Sequence, residues 1–458
     1  MKKTLLILIT MSGSALSMAQ PGPAVTSWLQ NTTVTGSYYM SGNSTAIGNG
    51  IPVNCQKVEY SANWVYVHTH GIPAYPTGPF QDGNPSQASD QNAIFKLPLQ
   101  PQPNTGTLTN TNAGNIGIFI NGVALFDYRD GVAWNTNTSS LCGGPGNAPC
   151  PGGPNAVQAW NRDAIPAERA GFDCSKGHPA MGNYHHHQNP SAFKLDINVI
   201  STVCNLYDAD GLYVIDPAQH SPLIGYAYDG YPVYGAYGYK NANGTGGIVR
   251  IRSGYGLRNI SQRTHHADGT DVADGPAVNG TYFLGYFRED HAFTAHPGQE
   301  EYLDEHNGRF CVTPEYPNGT YAYFATVDSN HNSAYPYVVG PTFYGVVNGG
   351  KVTSVSETTT IYENTTSIYE NENGQPEMNV FPNPAGDLVA IQVNGLLKTV
   401  QQAELLDMNG RVLRSTRINP GQTIAYFDVQ TLYNGTYLVR VSDGAQSFSR
   451  KIIVHHTQ

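Results

Sequence analysis

Apolar and polar positions alternate along this chain in short runs of period two, the signature of half-buried β-strands. The alternation is densest near the C-terminus. Met378-Asn379-Val380-Phe381-Pro382-Asn383-Pro384 leads into Leu388-Val389-Ala390-Ile391-Gln392-Val393, and Ala403-Glu404-Leu405-Leu406-Asp407 precedes the turn Asn409-Gly410 and Arg411-Val412-Leu413. Gly435-Thr436-Tyr437-Leu438-Val439-Arg440-Val441 and Lys451-Ile452-Ile453-Val454 close the series. Short strands at regular spacing with turn residues between them predict a small immunoglobulin-like β-sandwich. Upstream, Lys57–His70, Ile116–Leu125, Leu212–Ile215, Thr281–Phe287 and Tyr321–Thr326 read as strands, and only Ala164–Ala170 suggests a helix, a short one. The expected fold class is mainly β: a large β-rich body with long loops, followed by the small sandwich.

The alternation is interrupted at two places. Met1-Lys2-Lys3, an apolar run over Leu5–Thr10 and Ser17-Met18-Ala19 before Gln20 read as a signal peptide over 1–19. Its apolar core is well short of the ~20 residues of a spanning helix. No later stretch is long enough, so no integral membrane segment is expected after cleavage. Residues 350–376 read as a flexible linker. Thr358-Thr359-Thr360-Ile361-Tyr362-Glu363-Asn364 is nearly repeated by Thr365-Thr366-Ser367-Ile368-Tyr369-Glu370-Asn371, with too little apolar surface to offset its ordering entropy. The body is thus expected over 20–349 and the sandwich over 377–458.

Composition agrees with β structure: 50 Gly, 30 Pro and 30 Tyr accompany only 13% charged residues. A formal net charge of −10, with no basic stripe to offset it, argues against nucleic acid or anionic membrane as a partner. The six cysteines, Cys55, Cys142, Cys150, Cys174, Cys204 and Cys311, favour disulfides in an oxidising compartment. Cys142 and Cys150 bracket a Gly/Pro loop and form the best single candidate pair.

Candidate chemistry lies in the histidines, thirteen of which fall in the body. His68-Thr69-His70 closes a strand-like run, and Tyr184-His185-His186-His187 follows Gly177-His178-Pro179. Side chains two apart on a strand share a face, with Cα atoms roughly 6.5–7 Å apart. Two imidazoles so placed can reach one metal ion at ~2.0–2.1 Å. His68 with His70, and His185 with His187, are therefore half-sites for a divalent transition metal, zinc or copper, and His186 should point away.

Two resemblances sharpen this reading. Phe381-Pro382-Asn383-Pro384, Leu405-Leu406-Asp407-x-Asn409-Gly410-Arg411 and Gly435-x-Tyr437-x-Val439 resemble the type A C-terminal sorting domain of the type IX secretion system. This implies handling of 377–458 by that machinery, with passage through the periplasm of a Gram-negative cell, then release or attachment at the outer surface. Gly171-Phe172-Asp173-Cys174-x-x-Gly177-His178-Pro179, then Gly182-x-Tyr184-His185-His186-His187, resembles the core of the YHYH domain family. His186 stands where the naming motif has Tyr, which keeps the two outer histidines on one face. Gly71-Ile72-Pro73, Ile118–Val123, His220–Gly235, Leu303–Arg309 and Tyr335-Pro336-Tyr337 follow in the family's order, over roughly residues 50–345. The family resemblance brings no settled reaction.

Other chemistries fit poorly. Cys174-x₃-His178-x₂-Met181 imitates a blue-copper loop, but the residues before Cys174 do not read as the strand that delivers such a cysteine. There is no Gly-x-Ser-x-Gly elbow, His-Glu-x-x-His helix or phosphate loop, and Asp208-x-Asp210-Gly211 lacks the later ligands of a calcium loop. Two function classes stand. One is a secreted or cell-surface metal-binding protein, possible as a metalloenzyme, centred on His178, His185 and His187, with His68, His70, His220, His306 and Asp229 as weaker candidates. The other is a non-catalytic extracellular module that binds glycan or protein through exposed tyrosines.

Overall fold

A computed structural model of the chain describes residues 21–43, 45–80, 87–191, 211–213, 215–362, 377–381, 383–394, 401–407, 410–418, 424–442 and 447–456. The expected signal peptide, residues 363–376 of the expected linker, Cys204, Asp208 and Asp210 lie outside them. The chain divides after Tyr362 into two units, and both are mainly β.

In the first unit Lys57–His70 forms a hairpin, Cys55–Tyr60 against Trp64–Thr69. The turn between them is tied by the Ser61 hydroxyl, which accepts from the amides of Asn63 and Trp64. Ala93–Pro98 adds beside the second strand. Gly350–Val352 and Thr360–Tyr362 cover the two outer edges, completing five strands. This corrects the expected linker over 350–362. An exposed sheet edge offers unpaired amides and carbonyls, so a polar segment gains ladder bonds there without an apolar face of its own. Thr359 and Glu357 reinforce the docking through Glu59 and Tyr66.

Among the described residues the main sheet has eight strands. In chain order they are β1 (Asn115–Phe119), β2 (Ala124–Phe126), β3 (His178–Ala180), β4 (Asn183–His186), β5 (Leu223–Ala227), β6 (Pro232–Tyr234), β7 (Gly308–Cys311) and β8 (Thr320–Phe324). Their spatial order is β3-β4-β2-β1-β5-β6-β8-β7. β2 runs parallel to β4, and β6 parallel to β8. The Asn121-Gly122 turn joins β1 to β2, with Gly122 at φ 77°.

Period-two alternation separates the sheet into two faces. Ile118, Ala124, Tyr234, Ala322 and Phe324 share one apolar core with Val58, Val65, Val67, Phe95 and Leu97 of the five-stranded sheet. Their neighbours Phe119, Leu125, Val233, Tyr321 and Tyr323 point the other way, into a core closed by loop residues such as Tyr128, Ile165, Phe172, Tyr335 and Tyr337. Runs that read as uniformly apolar are therefore buried on both faces.

Two expected strands are not formed. Thr281–Phe287 is irregular because the carbonyls of Tyr282 and Phe283 accept from the buried Arg263 guanidinium rather than from a neighbouring strand. Leu212 and Tyr213 lie outside any strand. The Tyr213 hydroxyl instead donates to Asn189 and accepts from the Ala236 amide, pinning this stretch as a loop. Cys142 and Cys150 form a disulfide as expected, and Cys174 is also disulfide-bonded. Cys55 and Cys311 are corrected to buried free thiols, packed in the core between the sheets as small apolar side chains.

The described residues of the second unit form two antiparallel sheets. One orders Glu377–Phe381, Leu388–Asn394 and Ile424–Asp428, and the other Val412–Ile418, Gln401–Leu406, Gly435–Ser442 and Ser447–Val454. Val389, Leu405, Phe427, Val439 and Ile452 meet in their common core.

Candidate metal centre

The site is a consequence of one hairpin and its register. β3 and β4 are joined by Met181 and Gly182, both at positive φ (48° and 85°), the conformation that a two-residue turn between twisted strands requires. Gly182 is needed for space as well, because a Cβ there would lie 2.0 Å from Ser89 Oγ. In this register His178 stands directly opposite His185, and directly paired residues put their side chains within reach of each other. His187, two positions on, shares the face of His185. A cross-strand pair plus an i, i+2 pair thus places three imidazoles together. All three are buried, at 4%, 1% and 4% exposure for His178, His185 and His187.

Their ligand nitrogens lie within 4.8 Å of one another, and Nε2 of His185 is 3.0 Å from Nε2 of His187. A fourth donor converges on them: Glu168 Oε2 is 3.2 Å from Nε2 of both His178 and His187. Glu168 ends the short helix Ala164–Glu168. Asp163 caps that helix by accepting from the Ile165 amide, and the Tyr337 hydroxyl donates to its other oxygen.

The ring orientations are determined by carbonyl oxygens. His185 Nδ1 bonds the Asn183 carbonyl and His187 Nδ1 the Asp127 carbonyl. A carbonyl only accepts, so each Nδ1 carries the hydrogen and each neutral ring presents its Nε2 lone pair to the centre. Phe126 stacks on His185, and Phe172 meets His178 edge-on, which keeps the surroundings apolar. Burial, then the proximity of His178 and His187, holds His185 well below the usual imidazole range. Burial alone would raise the Glu168 carboxyl; the adjoining His178 and His187 imidazoles hold it well below the usual carboxylate range. Lone pairs and a carboxylate facing one another at these distances would be stabilised by a cation among them. A tetrahedral ion with bonds of about 2.0–2.1 Å separates its ligand atoms by about 3.4 Å, close to the spacings seen here. The donor set fits a divalent transition metal.

The remaining motif residues brace this arrangement. Asp173 Oδ1 accepts from the Ser175 and Gly177 amides, and Oδ2 from the Gly78 amide and the Tyr184 hydroxyl. His186, on the far face with Tyr184, bonds the Tyr75 hydroxyl and packs edge-on to Phe119.

Five sequence candidates do not join the centre. His68 bonds Glu59 and His70 bonds Asp90, so their shared face carries two separate pairs. His220 Nδ1 bonds the Ser221 carbonyl, and His306 Nδ1 bonds Thr342. Asp229 is buried, accepting from the Tyr323 hydroxyl and the Gly345 amide. The blue-copper arrangement is absent too, since Cys174 is disulfide-bonded and Met181 is 96% exposed. Glu168 was missed by sequence reasoning. Its signal was the one helix-like stretch, Ala164–Ala170, ending beside the histidine motif.

Asp163 gives this region a pH signature. Burial pushes its carboxyl up to about 8, against the hydrogen bonds from Tyr337 and Ile165. The folded chain therefore keeps a proton that the unfolded chain loses near pH 4. This stabilisation is full below about pH 4 and is lost as pH rises towards about 8. Burial also raises Asp130, Asp173 and Asp229, to about 6 each, so their losses are largely complete lower down. Between about pH 6.5 and 8 metal-free protein should lose up to about 2 kcal/mol through Asp163. Buried histidines such as His185, His186 and His291, held below the usual range, gain stability over the same window. The readout is therefore the difference between the wild-type chain and Asp163→Asn in melting curves: the wild type should lose that amount relative to the variant, and equal slopes in both refute the assignment.

Residues 379–455 match the secretion system C-terminal sorting domain, which implies handling by the type IX machinery and a secreted or cell-surface location. No curated protein matches the chain. The YHYH protein model matches residues 94–336, a stretch that encloses the three histidines, Glu168 and Asp173. With more than half of its length so matched, the chain belongs to the YHYH protein family.

Proposed function

We propose that this is an extracellular metal-binding protein that holds one zinc or copper ion through His178, His185 and His187, with Glu168 as fourth donor. The observation that carries the reading is the Nε2–Nε2 approach of 3.0 Å between two buried rings whose Nδ1 hydrogens are already committed to carbonyls. An ion there would tie the β3–β4 hairpin to the helix bearing Glu168, and with all four donors engaged its coordination is complete, as in structural zinc sites. Glu168 is the most exposed donor, with 23% of its side chain accessible, so it is the one that would yield to an incoming ligand if the ion also serves as a Lewis acid. Export by the periplasmic route of a Gram-negative cell would deliver the protein to a setting where metals must be held against dilution.

Elemental analysis of the purified chain, stripped with chelator and reloaded, tests this. One zinc or copper per chain is expected, and Glu168→Gln should weaken its retention by about tenfold or more. No stoichiometric metal after reloading would remove the proposal.

A further inference from the structure

A cleft of about 520 Å³ opens in the first unit well apart in sequence from the histidine centre, and Arg250, Arg252, Thr294, His296, Tyr302 and Ser329 are among its walls. Its volume is within the range of small-molecule sites. Arg250 ends the strand Ile248–Arg250, and Arg252 follows two residues later, so the pleat sends both guanidinium groups to one side. Neither has a carboxylate ion-pair partner among the described residues.

Both cations are nonetheless held in place. Arg250 Nη1 donates to the Val327 carbonyl (2.6 Å). Arg252 Nη1 donates to the Tyr302 hydroxyl (3.0 Å), and its guanidinium lies 5.4 Å from that ring. Tyr302 is stacked from its own side by His296, with ring centroids 3.8 Å apart. Asp328 is the acidic residue in the wall, but its oxygens are occupied by the Asn330 and Asn332 amides and by Asn332 Nδ2. Burial, then the neighbouring charge of Arg252, lowers Arg250 from the usual guanidinium range, with the Asp328 carboxylate acting the other way. Two guanidinium groups on one side of a cleft, neither in an ion pair among the described residues, can engage one anion together.

We infer that this cleft is a binding site for an anionic saccharide, with Arg250 and Arg252 engaging a carboxylate or sulfate group. The flat His296–Tyr302 stack and the hydroxyls of Thr294 and Ser329 suit the rest of the ligand, because a sugar combines apolar ring faces with many hydroxyls that need partners. The site is independent of the metal centre. A chain of net charge −10 repels polyanions in general, so affinity for one must come from a local pair of this kind.

The test is titration of the full-length chain at low salt with polygalacturonate, dextran sulfate, neutral dextran and polyglutamate. Binding of polygalacturonate or dextran sulfate is expected, with neutral dextran and polyglutamate inert; whichever polysaccharide binds identifies the anionic group. Arg250→Gln with Arg252→Gln should weaken binding by about tenfold or more. Arg252→Gln alone, at an exposed position, should weaken it in the same direction without lowering the melting temperature. Lys351→Gln, which removes the same charge from an exposed residue outside the cleft, should leave affinity within about twofold. Failure of both anionic polysaccharides to bind, equal binding of polyglutamate, or equal loss in the Lys351 variant would overturn the assignment.

Discussion

Replacing His185 and His187 together by alanine is expected to abolish stoichiometric metal binding and every metal-dependent gain in stability. Metal that binds only the folded chain stabilises it by about 2.7 kcal/mol at a free concentration of 100 times Kd. For a unit of this size that raises the melting temperature by several degrees. The wild-type chain should therefore melt higher with zinc or copper than with chelator, and the double variant should melt at one temperature in both. Two buried rings are removed, so the variant should also be less stable than the metal-free wild type, by about 2–5 kcal/mol. The diagnostic readout is the vanished metal response, which a packing defect alone does not produce. A metal-induced shift of undiminished size in the variant would place the ion elsewhere. His68→Ala with His70→Ala provides the contrast, because these rings are engaged by Glu59 and Asp90 and their loss should leave the metal response intact.

Asp173→Ala should be the most damaging single change near the centre. Its fully buried carboxyl accepts from three backbone amides and the Tyr184 hydroxyl. Each buried donor left without a partner costs about 1–3 kcal/mol. The losses are not additive, and a total of about 3–5 kcal/mol is expected in chemical denaturation. Metal affinity should fall as well, by about 10–100-fold, since His178 directly follows Gly177, whose amide the carboxylate holds. Asp173→Asn keeps one acceptor oxygen for Ser175 and Gly177 and should lose about half as much stability. Tyr184→Phe removes one donor only and should be milder still. If alanine at 173 is tolerated at wild-type stability and metal affinity, the bracing role is wrong.

Much of this architecture was legible in the residues, and the reasons differ from segment to segment. Cys55–Tyr60 and Trp64–Thr69 were visible because pleating imposes its period wherever one face is buried. Gly350–Val352 and Thr360–Tyr362 read as linker because they borrow their hydrogen bonds from sheet edges formed about 250 and 300 residues earlier. Thr281–Phe287 has the aromatic content of a strand, yet its carbonyls satisfy Arg263. Local composition does not encode that choice.

The candidate site divides along the same line. His68-x-His70 and His185-x-His187 are the same pattern in sequence, and the chain by itself determined that each pair lies on one strand face or its continuation. The spacing from His178 through a two-residue turn also set the cross-strand meeting with His185. Tertiary structure alone decided that Glu59 and Asp90 separate the first pair, while Glu168, on a helix capped by Asp163, completes the second. Side-chain direction follows from the local pleat, whereas the partner that meets a side chain depends on long-range packing, such as β4 running parallel to β2 from about 60 residues earlier.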